Sequence, residues 1–95
     1  MKRYYVYILK CNDGSYYTGV TNNLEKRFDE HQTGLIDGCY THNRRPLKFV
    51  FSEEFGEIND AISREKQIKG WSRRKKEALM EGNFVKLVEL SRKRV

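Results

Sequence analysis

Residues 4–19 read YYVYILKCNDGSYYTG, and the other elements of the chain are arranged around this stretch. Two runs rich in aromatic and β-branched residues, 4–11 and 15–19, flank an Asn-Asp-Gly sequence, which predicts a β-hairpin. A two-residue loop would place Tyr7 and Tyr17 on opposite faces of the hairpin. A three-residue loop with Gly14 in the left-handed conformation instead pairs Leu9 with Tyr17. We expect the three-residue loop, which brings Tyr7 and Tyr17 to one face, within reach of a common site.

A helix is predicted directly after the hairpin, over residues 24–33. Asn23 is a suitable N-cap because its side chain can accept from free amides of the first turn, and Gly34 is a natural stop. At about 100° per residue, one face of this helix carries apolar residues and a histidine, with an arginine at its edge. These residues are Leu24, Phe28, His31, Leu35 and Arg27.

The second half of the chain predicts one further strand and three helices. After a loop over 34–46, the aromatic-rich run 47–52 alternates as a strand does, and the apolar first strand is expected in the middle of the sheet. A helix over 58–69 is followed by one from the cap Ser72 through Met80, ended by Gly82, and by a last one over 84–90. The expected inward residues are Ile58, Ala61, Ile62 and Ile68, and later Phe84, Leu87, Val88 and Leu90. The predicted fold class is α/β (α+β), a three-stranded antiparallel sheet flanked by helices.

The composition bounds the class of protein. Ninety-five residues, of which 38% are hydrophobic, can supply one core, and we expect a single domain over 1–95. No apolar run approaches the ~20 residues of a membrane span, and no signal-peptide pattern is present, so we expect a cytoplasmic protein without a membrane partner. Cys11 and Cys39 lack metal-binding spacing, which favours free thiols in a reducing compartment. The net charge of +6 favours a polyanionic partner.

Glu65 falls inside the arc of the apolar stripe on the 58–69 helix. An unpaired carboxylate there would carry a desolvation cost of several kcal/mol unless it met a cation or hydrogen-bond donors. Two interpretations are open at this point. One is a structural salt bridge, for example with Arg27. The other is a metal ligand, because Mg²⁺ is typically bound by one or two protein carboxylates and keeps its waters.

Four further residues could serve either the core or phosphate chemistry. Arg27 and His31 lie four residues apart and therefore project from one helical face. They could simply cover the sheet, or Arg27 could grip a phosphate through two donors while His31 shuttles a proton. Tyr7 and Tyr17 could be core aromatics. Alternatively, a nearby cation could favour the phenolate, which would then accept a proton from water.

The ordered set of these residues resembles the GIY-YIG nuclease family, more narrowly its small stand-alone bacterial members. It consists of YVY at 5–7, YTG at 17–19, NLEKR at 23–27, His31 and Glu65. The similarity covers residues 2–76, leaving a C-terminal helix and basic tail at 83–95. Three departures stand out, since Tyr5 replaces a glycine, Thr18 an isoleucine, and Val20 a lysine found in some relatives.

The resemblance implies a metal-dependent DNA endonuclease. It implies that Glu65 holds Mg²⁺ or Mn²⁺, that Arg27 supports the transition state, that His31 assists and that Tyr7 or Tyr17 is the base. It also implies DNA as substrate, with single-stranded or branched forms and a role in repair or processing as expectations. A repair-protein partner would supply targeting to a monomer of this size.

Basic residues on the loop and the C-terminal half are candidates for DNA backbone contacts, which give salt-dependent affinity without sequence preference. They are Arg44, Arg45, Lys66, Lys69, Arg73, Arg74, Lys75 and Lys76, with Trp71 as a candidate stacking platform. Ordinary solvated charge and a core tryptophan are the competing interpretations. Two other functions stay open: a nucleic-acid-binding module with weak or no catalysis, and a protein-interaction domain whose basic face meets acidic proteins.

Overall fold

The computed structural model describes residues 2–34 and 40–92. It is an α+β fold with a three-stranded antiparallel sheet in the order β2-β1-β3, so the first strand is central, as predicted. The strands are β1 (Tyr4–Lys10), β2 (Tyr16–Thr21) and β3 (Lys48–Phe55), and the helices are α1 (Leu24–Thr33), α2 (Ile58–Lys69), α3 (Arg73–Glu81) and α4 (Phe84–Arg92). Among the described residues, no helix is long and apolar enough to cross a bilayer.

The hairpin has the predicted three-residue loop. Gly14 has a φ of 86°, and its amide donates to the carbonyl of Cys11 at 2.9 Å. The amide of Cys11 donates to the carbonyl of Ser15 at 2.8 Å, and Leu9 lies opposite Tyr17. Since a slip of one residue would turn every side chain to the other face, this loop fixes which residues of β1 and β2 share a face.

The two faces of β1 contact different helices. Val6 and Ile8 pack with Ala61 of α2, and Leu79 of α3 joins the same cluster. The alternate residues of β1 form a second cluster on the other face, where they meet α1. That cluster contains Tyr7, Leu9, Cys11 and Leu47, with Tyr17, Leu24 and Phe28 packed against it. The helices α1 and α2 therefore cover opposite faces of the sheet.

Local capping defines the ends of α1 and α3 as the sequence predicted. The side chain of Asn23 accepts from the amide of Lys26, and the side chain of Ser72 accepts from the amide of Lys75. Gly34 and Gly82 end these helices in the left-handed conformation. Leu35, placed by the sequence on the inner face of α1, lies outside the described residues, as does Cys39. Cys11 is buried.

The third strand is longer than predicted, because it includes the acidic pair that was expected to follow it. Glu53 and Glu54 lie opposite Val6 and Tyr5 of β1. Arg64 donates to Glu53 at 3.1 Å, and Arg3 pairs with Glu54. An edge strand tolerates such charges because its outer side faces water, and here two arginines also neutralise them.

Two of the expected helix faces are wrong in part. On α2, Ala61 and Ile68 are fully buried, but Ile58 and Ile62 are 38% and 37% exposed. The buried face is centred between Ala61 and Ile68, which turns α2 by roughly 45° from the predicted orientation. On α4, Leu87 packs against the core, whereas two residues expected inside, Phe84 and Val88, are 65% and 52% exposed.

Candidate active site

A buried hydrogen-bond chain joins Tyr7, His31 and Thr41. The Tyr7 hydroxyl lies 3.0 Å from Nε2 of His31, and Nδ1 of His31 lies 2.7 Å from Oγ1 of Thr41. The three residues are only 2%, 1% and 1% exposed. Burial, and secondarily the charge of Arg27, lowers the pKa of His31 below 6.5, so the imidazole is neutral at pH 7. A neutral imidazole has one donor and one acceptor, and the chain uses both.

Tyr17 completes an aromatic group around this chain. Its ring centroid lies 6.2 Å from that of Tyr7 and 5.1 Å from that of His31, which it meets edge-on. Tyr40 stacks on Tyr17 with centroids 6.3 Å apart. The two tyrosines of the hairpin therefore lie on one face, as the loop length predicted, and a histidine from α1 lies against both.

Gly19 allows Tyr7 to occupy its position. The two residues are opposite each other across β1 and β2. A Cβ atom at residue 19 would lie 2.5 Å from the phenol oxygen and 2.6 Å from Cζ of Tyr7. Residue 19, the last of the YTG tripeptide, must therefore be glycine for a steric reason, because any side chain there would overlap the ring of Tyr7. Val20, where some relatives have a lysine, packs into the apolar cluster under α2.

A hollow of about 270 Å³ lies at the free edge of β2 and is called the β2-edge hollow below. Its lining residues are Tyr16, Tyr17, Thr18, Tyr40, Lys69 and Lys76. Consecutive residues of a strand point to opposite faces, so a hollow lined by Tyr16 and Tyr17 extends around the edge of the sheet. Burial and the charge of Lys69 lower the pKa of Lys76. Two lysines that repel each other beside aromatic rings favour an anionic ligand.

Glu65 is connected to the β2-edge hollow through Lys69. Its side chain is 13% exposed, and one carboxylate oxygen lies 2.6 Å from Nζ of Lys69. The salt bridge suggested with Arg27 is therefore wrong; the partner lies one turn further along α2. The opposite placement of the two helices explains this, because α1, which carries Arg27, and α2, which carries Glu65, cover different faces of the sheet. The rotation of α2 places Glu65 at the border of the buried face, where Lys69 of the same helix reaches it.

Arg27 lies on the α1 side, outside the lining of the β2-edge hollow. Its Nε donates to Glu30 at 3.1 Å. It borders a separate depression of about 80 Å³ together with Thr21, Asn22 and Lys26. Its positive charge contributes, after burial, to the lowered pKa of His31.

Several of the predicted DNA-contacting residues make contacts within the protein. Arg44 donates to Asp13 at 3.0 Å and lies 3.8 Å above the ring of Tyr40, while Arg73 donates to the carbonyl of Gly14 at 2.6 Å. These two arginines hold the hairpin loop from both sides, next to the β2-edge hollow.

The other predicted basic residues are more dispersed. Arg45 donates to the carbonyl of His42, and Lys75 lies 4.5 Å from the ring of Trp71, which itself packs against the core. Lys66 and Arg74 are exposed. Their roles in DNA binding stay predictions.

Sequence reasoning missed three residues of the site, Thr18, Tyr40 and Thr41. Tyr40 and Thr41 belong to the loop between α1 and β3, where no periodicity indicates which side chains turn inward. Thr18 is 2% exposed, and its hydroxyl has no hydrogen-bond partner among the described residues. The only signal was the departure from the isoleucine that the family pattern has at this position.

Glu65 offers one carboxylate, which could hold a divalent ion that keeps most of its waters. Within residues 2–34 and 40–92, no group of three or more His, Cys, Asp or Glu side chains could hold a metal. This argues against a closed structural site there. A single carboxylate beside a phosphate is sufficient for Mg²⁺, which keeps most of its waters. The ammonium of Lys69, 2.6 Å from Glu65, is a cation already at this carboxylate.

The candidate site thus combines two tyrosines of the hairpin, a histidine and an arginine of α1 and one carboxylate of α2, and all five lie within a stretch that matches the GIY-YIG catalytic domain. That domain matches residues 3–78. The chain therefore belongs to the GIY-YIG family, and this family is part of a nuclease superfamily.

The relatives of similar length are UPF0213 proteins. One from Limosilactobacillus reuteri is 44% identical over 93 residues, covering 96% of each chain. One from Clostridium perfringens is 48% identical over 82 residues, covering 86% of this chain and 87% of that protein. The solution NMR structure of a UPF0213 protein from Bacillus halodurans has a TM-score of 0.55 at 40% identity, covering 83% of both chains. That of a protein from E. faecalis has a TM-score of 0.61 at 31% identity, covering 90% of both.

Proposed function

We propose that this protein is a metal-dependent endonuclease that hydrolyses phosphodiester bonds in single-stranded or branched DNA during repair or processing. The observation that carries this proposal is the buried Tyr7–His31 hydrogen bond in contact with Tyr17, which borders a hollow lined by two lysines. The arrangement places a proton acceptor, phenols and cations together. A proton acceptor that activates water and cations that stabilise the developing negative charge both assist hydrolysis of a phosphodiester.

The two phenols have different surroundings. Tyr7 is buried and has a proton acceptor, because the neutral imidazole of His31 can receive the phenol proton at Nε2 when Nδ1–H donates to Thr41. Tyr17 is half-buried and has access to the β2-edge hollow, where the reacting phosphate would bind. The base is one of these phenols, and the other orients the attacking water or the phosphate.

The cationic residues act on the phosphate. Arg27 is permanently charged and can place two donors on one phosphate, stabilising the charge that develops during attack. To reach a phosphate in the β2-edge hollow, Arg27 must give up its ion pair with Glu30. Both side chains of this pair are half-exposed, so the pair is weak and can be broken. Lys69 and Lys76 bind the backbone on the other side of the hollow.

Glu65 is the residue that would hold Mg²⁺ or Mn²⁺. A bound divalent ion would neutralise charge on the phosphate and lower the pKa of a coordinated water. The position of Glu65 at the border of the buried face leaves its carboxylate both partly desolvated and within reach of the hollow through Lys69.

The test is cleavage of single-stranded and branched DNA with Mg²⁺ or Mn²⁺ by the wild-type protein and by Glu65→Gln, Arg27→Ala, Tyr7→Phe and Tyr17→Phe. We expect Glu65→Gln to abolish metal-dependent cleavage and Arg27→Ala to lower kcat by on the order of 100-fold. The phenol that acts as base is identified by a loss in kcat together with a changed pH profile. A rise in KM alone identifies an orienting phenol.

Asp60→Asn is the matched control for Glu65→Gln, because Asp60 is an exposed carboxylate in the first turn of the same helix. It should leave cleavage unchanged. Equal metal-dependent cutting by Glu65→Gln and Asp60→Asn would refute the proposed role of Glu65.

The same assays distinguish a nuclease from the alternative function, a nucleic-acid-binding module with weak or no catalysis. The observation that favours it is that Lys69 already neutralises Glu65, so that the carboxylate has a cation without a metal, while Lys76 lines the hollow as a second cation for phosphate. DNA affinity that falls with salt, combined with no cleavage in any divalent metal, would support the binding module and exclude the nuclease.

A further inference from the structure

Lys69 lies between the two parts of the candidate site. It is the last residue of α2, one turn after Glu65, and its Nζ lies 2.6 Å from the carboxylate of Glu65. The same side chain lines the β2-edge hollow together with Tyr17 and Lys76. One ammonium group can therefore reach either the carboxylate proposed as metal ligand or an anion in the hollow.

The Lys69–Glu65 pair is easily exchanged. The side chain of Lys69 is 58% exposed, so water can solvate its ammonium when it leaves, whereas the Glu65 side chain is 13% exposed and needs another cation in its place. A divalent ion bound to Glu65 would repel the Lys69 ammonium strongly, because the two cations would lie very close to each other at one carboxylate. Binding of a metal to Glu65 thus favours movement of Lys69 away from it.

The β2-edge hollow offers the released ammonium a second position. Lys76 lines the same hollow, where burial and the charge of Lys69 both disfavour its protonated form. A phosphate between the two lysines would reverse this repulsion, because each ammonium would then face an anion. The other residues that line the hollow are three tyrosines and a threonine, so its charged lining residues are the two lysines.

We propose that Lys69 is a displaceable cation that pairs with Glu65 when no metal is bound and transfers to a backbone phosphate in the β2-edge hollow when a divalent ion takes the carboxylate. Metal binding and DNA binding then strengthen each other, because the metal releases a phosphate-binding residue and the phosphate retains it. This inference rests on the proposed role of Glu65 as the metal ligand. It adds Lys69 as a residue that positions the substrate only after the metal is present.

The first experiment measures Mg²⁺ affinity of the DNA-free protein by amide chemical shifts, with the wild-type chain and three lysine-to-methionine variants. Lys69→Met should bind Mg²⁺ several-fold more tightly than wild type, because the competing cation is gone. Lys76→Met removes a charge from the same hollow without touching the pair, and its effect on Mg²⁺ affinity should be much smaller. Lys48→Met removes an exposed charge from β3, at the opposite edge of the sheet, and should match wild type.

The second experiment measures binding of a short phosphorothioate oligothymidylate, which resists cleavage, with and without Mg²⁺. In wild type and Lys48→Met, Mg²⁺ should raise the affinity for this oligonucleotide. In Lys69→Met the increase should be largely lost, whereas Lys76→Met should weaken binding with and without Mg²⁺ alike.

The outcomes separate this inference from the proposed function. If Lys69→Met and Lys76→Met change Mg²⁺ affinity equally, the effect is through-space repulsion, and displacement of Lys69 is refuted while Glu65 remains a metal ligand. If Mg²⁺ still promotes oligonucleotide binding in Lys69→Met, the transfer to phosphate is refuted. If no variant and no wild-type protein binds Mg²⁺, the metal role of Glu65 fails, and this inference fails with it.

Discussion

Replacing Gly19 by alanine should strongly destabilise this protein, because the new methyl group would overlap the ring of Tyr7. A Cβ at residue 19 would lie 2.5 Å from the Tyr7 hydroxyl and 2.6 Å from Cζ. Tyr7 is 2% exposed and its hydroxyl is bonded to His31, so the ring has no open space to move into. Gly19 is not among the glycines with positive φ, so the effect is steric and not a matter of backbone conformation.

The magnitude follows from two contributions. Inserting a methyl group into a packed core costs about 1–3 kcal/mol. Shifting Tyr7 also disrupts the buried hydrogen bond between its hydroxyl and Nε2 of His31, which costs about 1–3 kcal/mol more. We therefore expect Gly19→Ala to lower the free energy of unfolding by about 2–6 kcal/mol, a large part of the ~5–15 kcal/mol typical of a folded domain.

Urea unfolding followed by circular dichroism measures this change, with Gly56→Ala as the matched control. A Cβ at residue 56 would have no neighbour within 4 Å, so Gly56→Ala should change the free energy of unfolding by no more than about 1 kcal/mol. The His31 ring signals in NMR spectra should move in Gly19→Ala and stay in place in Gly56→Ala. Equal free energies of unfolding for the two variants would refute the argument that Gly19 exists to accommodate Tyr7.

Three further predictions concern buried polar groups. Thr18→Val should raise the free energy of unfolding by about 1 kcal/mol, because it removes a buried hydroxyl without a hydrogen-bond partner among the described residues. Thr41→Val makes the same chemical change but should lower the free energy of unfolding by about 1–3 kcal/mol, because His31 loses the partner of its Nδ1. Changes of equal sign in urea unfolding would contradict this pair of predictions. The pKa of His31 is lowered below 6.5 in the folded protein, so the unfolded chain binds a proton at this residue more readily. The free energy of unfolding should therefore fall as the pH drops through 6.5. If the free energy of unfolding of His31→Gln fell equally between about pH 7.5 and 5.5, His31 would not be the cause.

The features that the sequence determined by itself are those fixed by neighbouring residues. Asn12-Asp13-Gly14 selected the loop and therefore the pairing of Leu9 with Tyr17. Asn23 and Gly34 set the ends of α1, since capping involves bonds over only a few residues. From the loop and the helical period it followed that Tyr7 and Tyr17 share a face and that His31 points inward.

The features that only the tertiary structure decided depend on how elements are oriented and on the path of a loop. Periodicity gives a helix an apolar face but leaves its rotation against the sheet undetermined. The observed rotation of α2 exposed Ile62 and placed Glu65 at the border of the buried face, where it pairs with Lys69 of the same helix. Arg27 is out of reach because α1 covers the opposite face of the sheet. Likewise, no local bond dictates that Thr41 reaches His31. That contact requires the described segment 40–47 to lie against α1. Long-range packing, which no short sequence pattern encodes, determines that position.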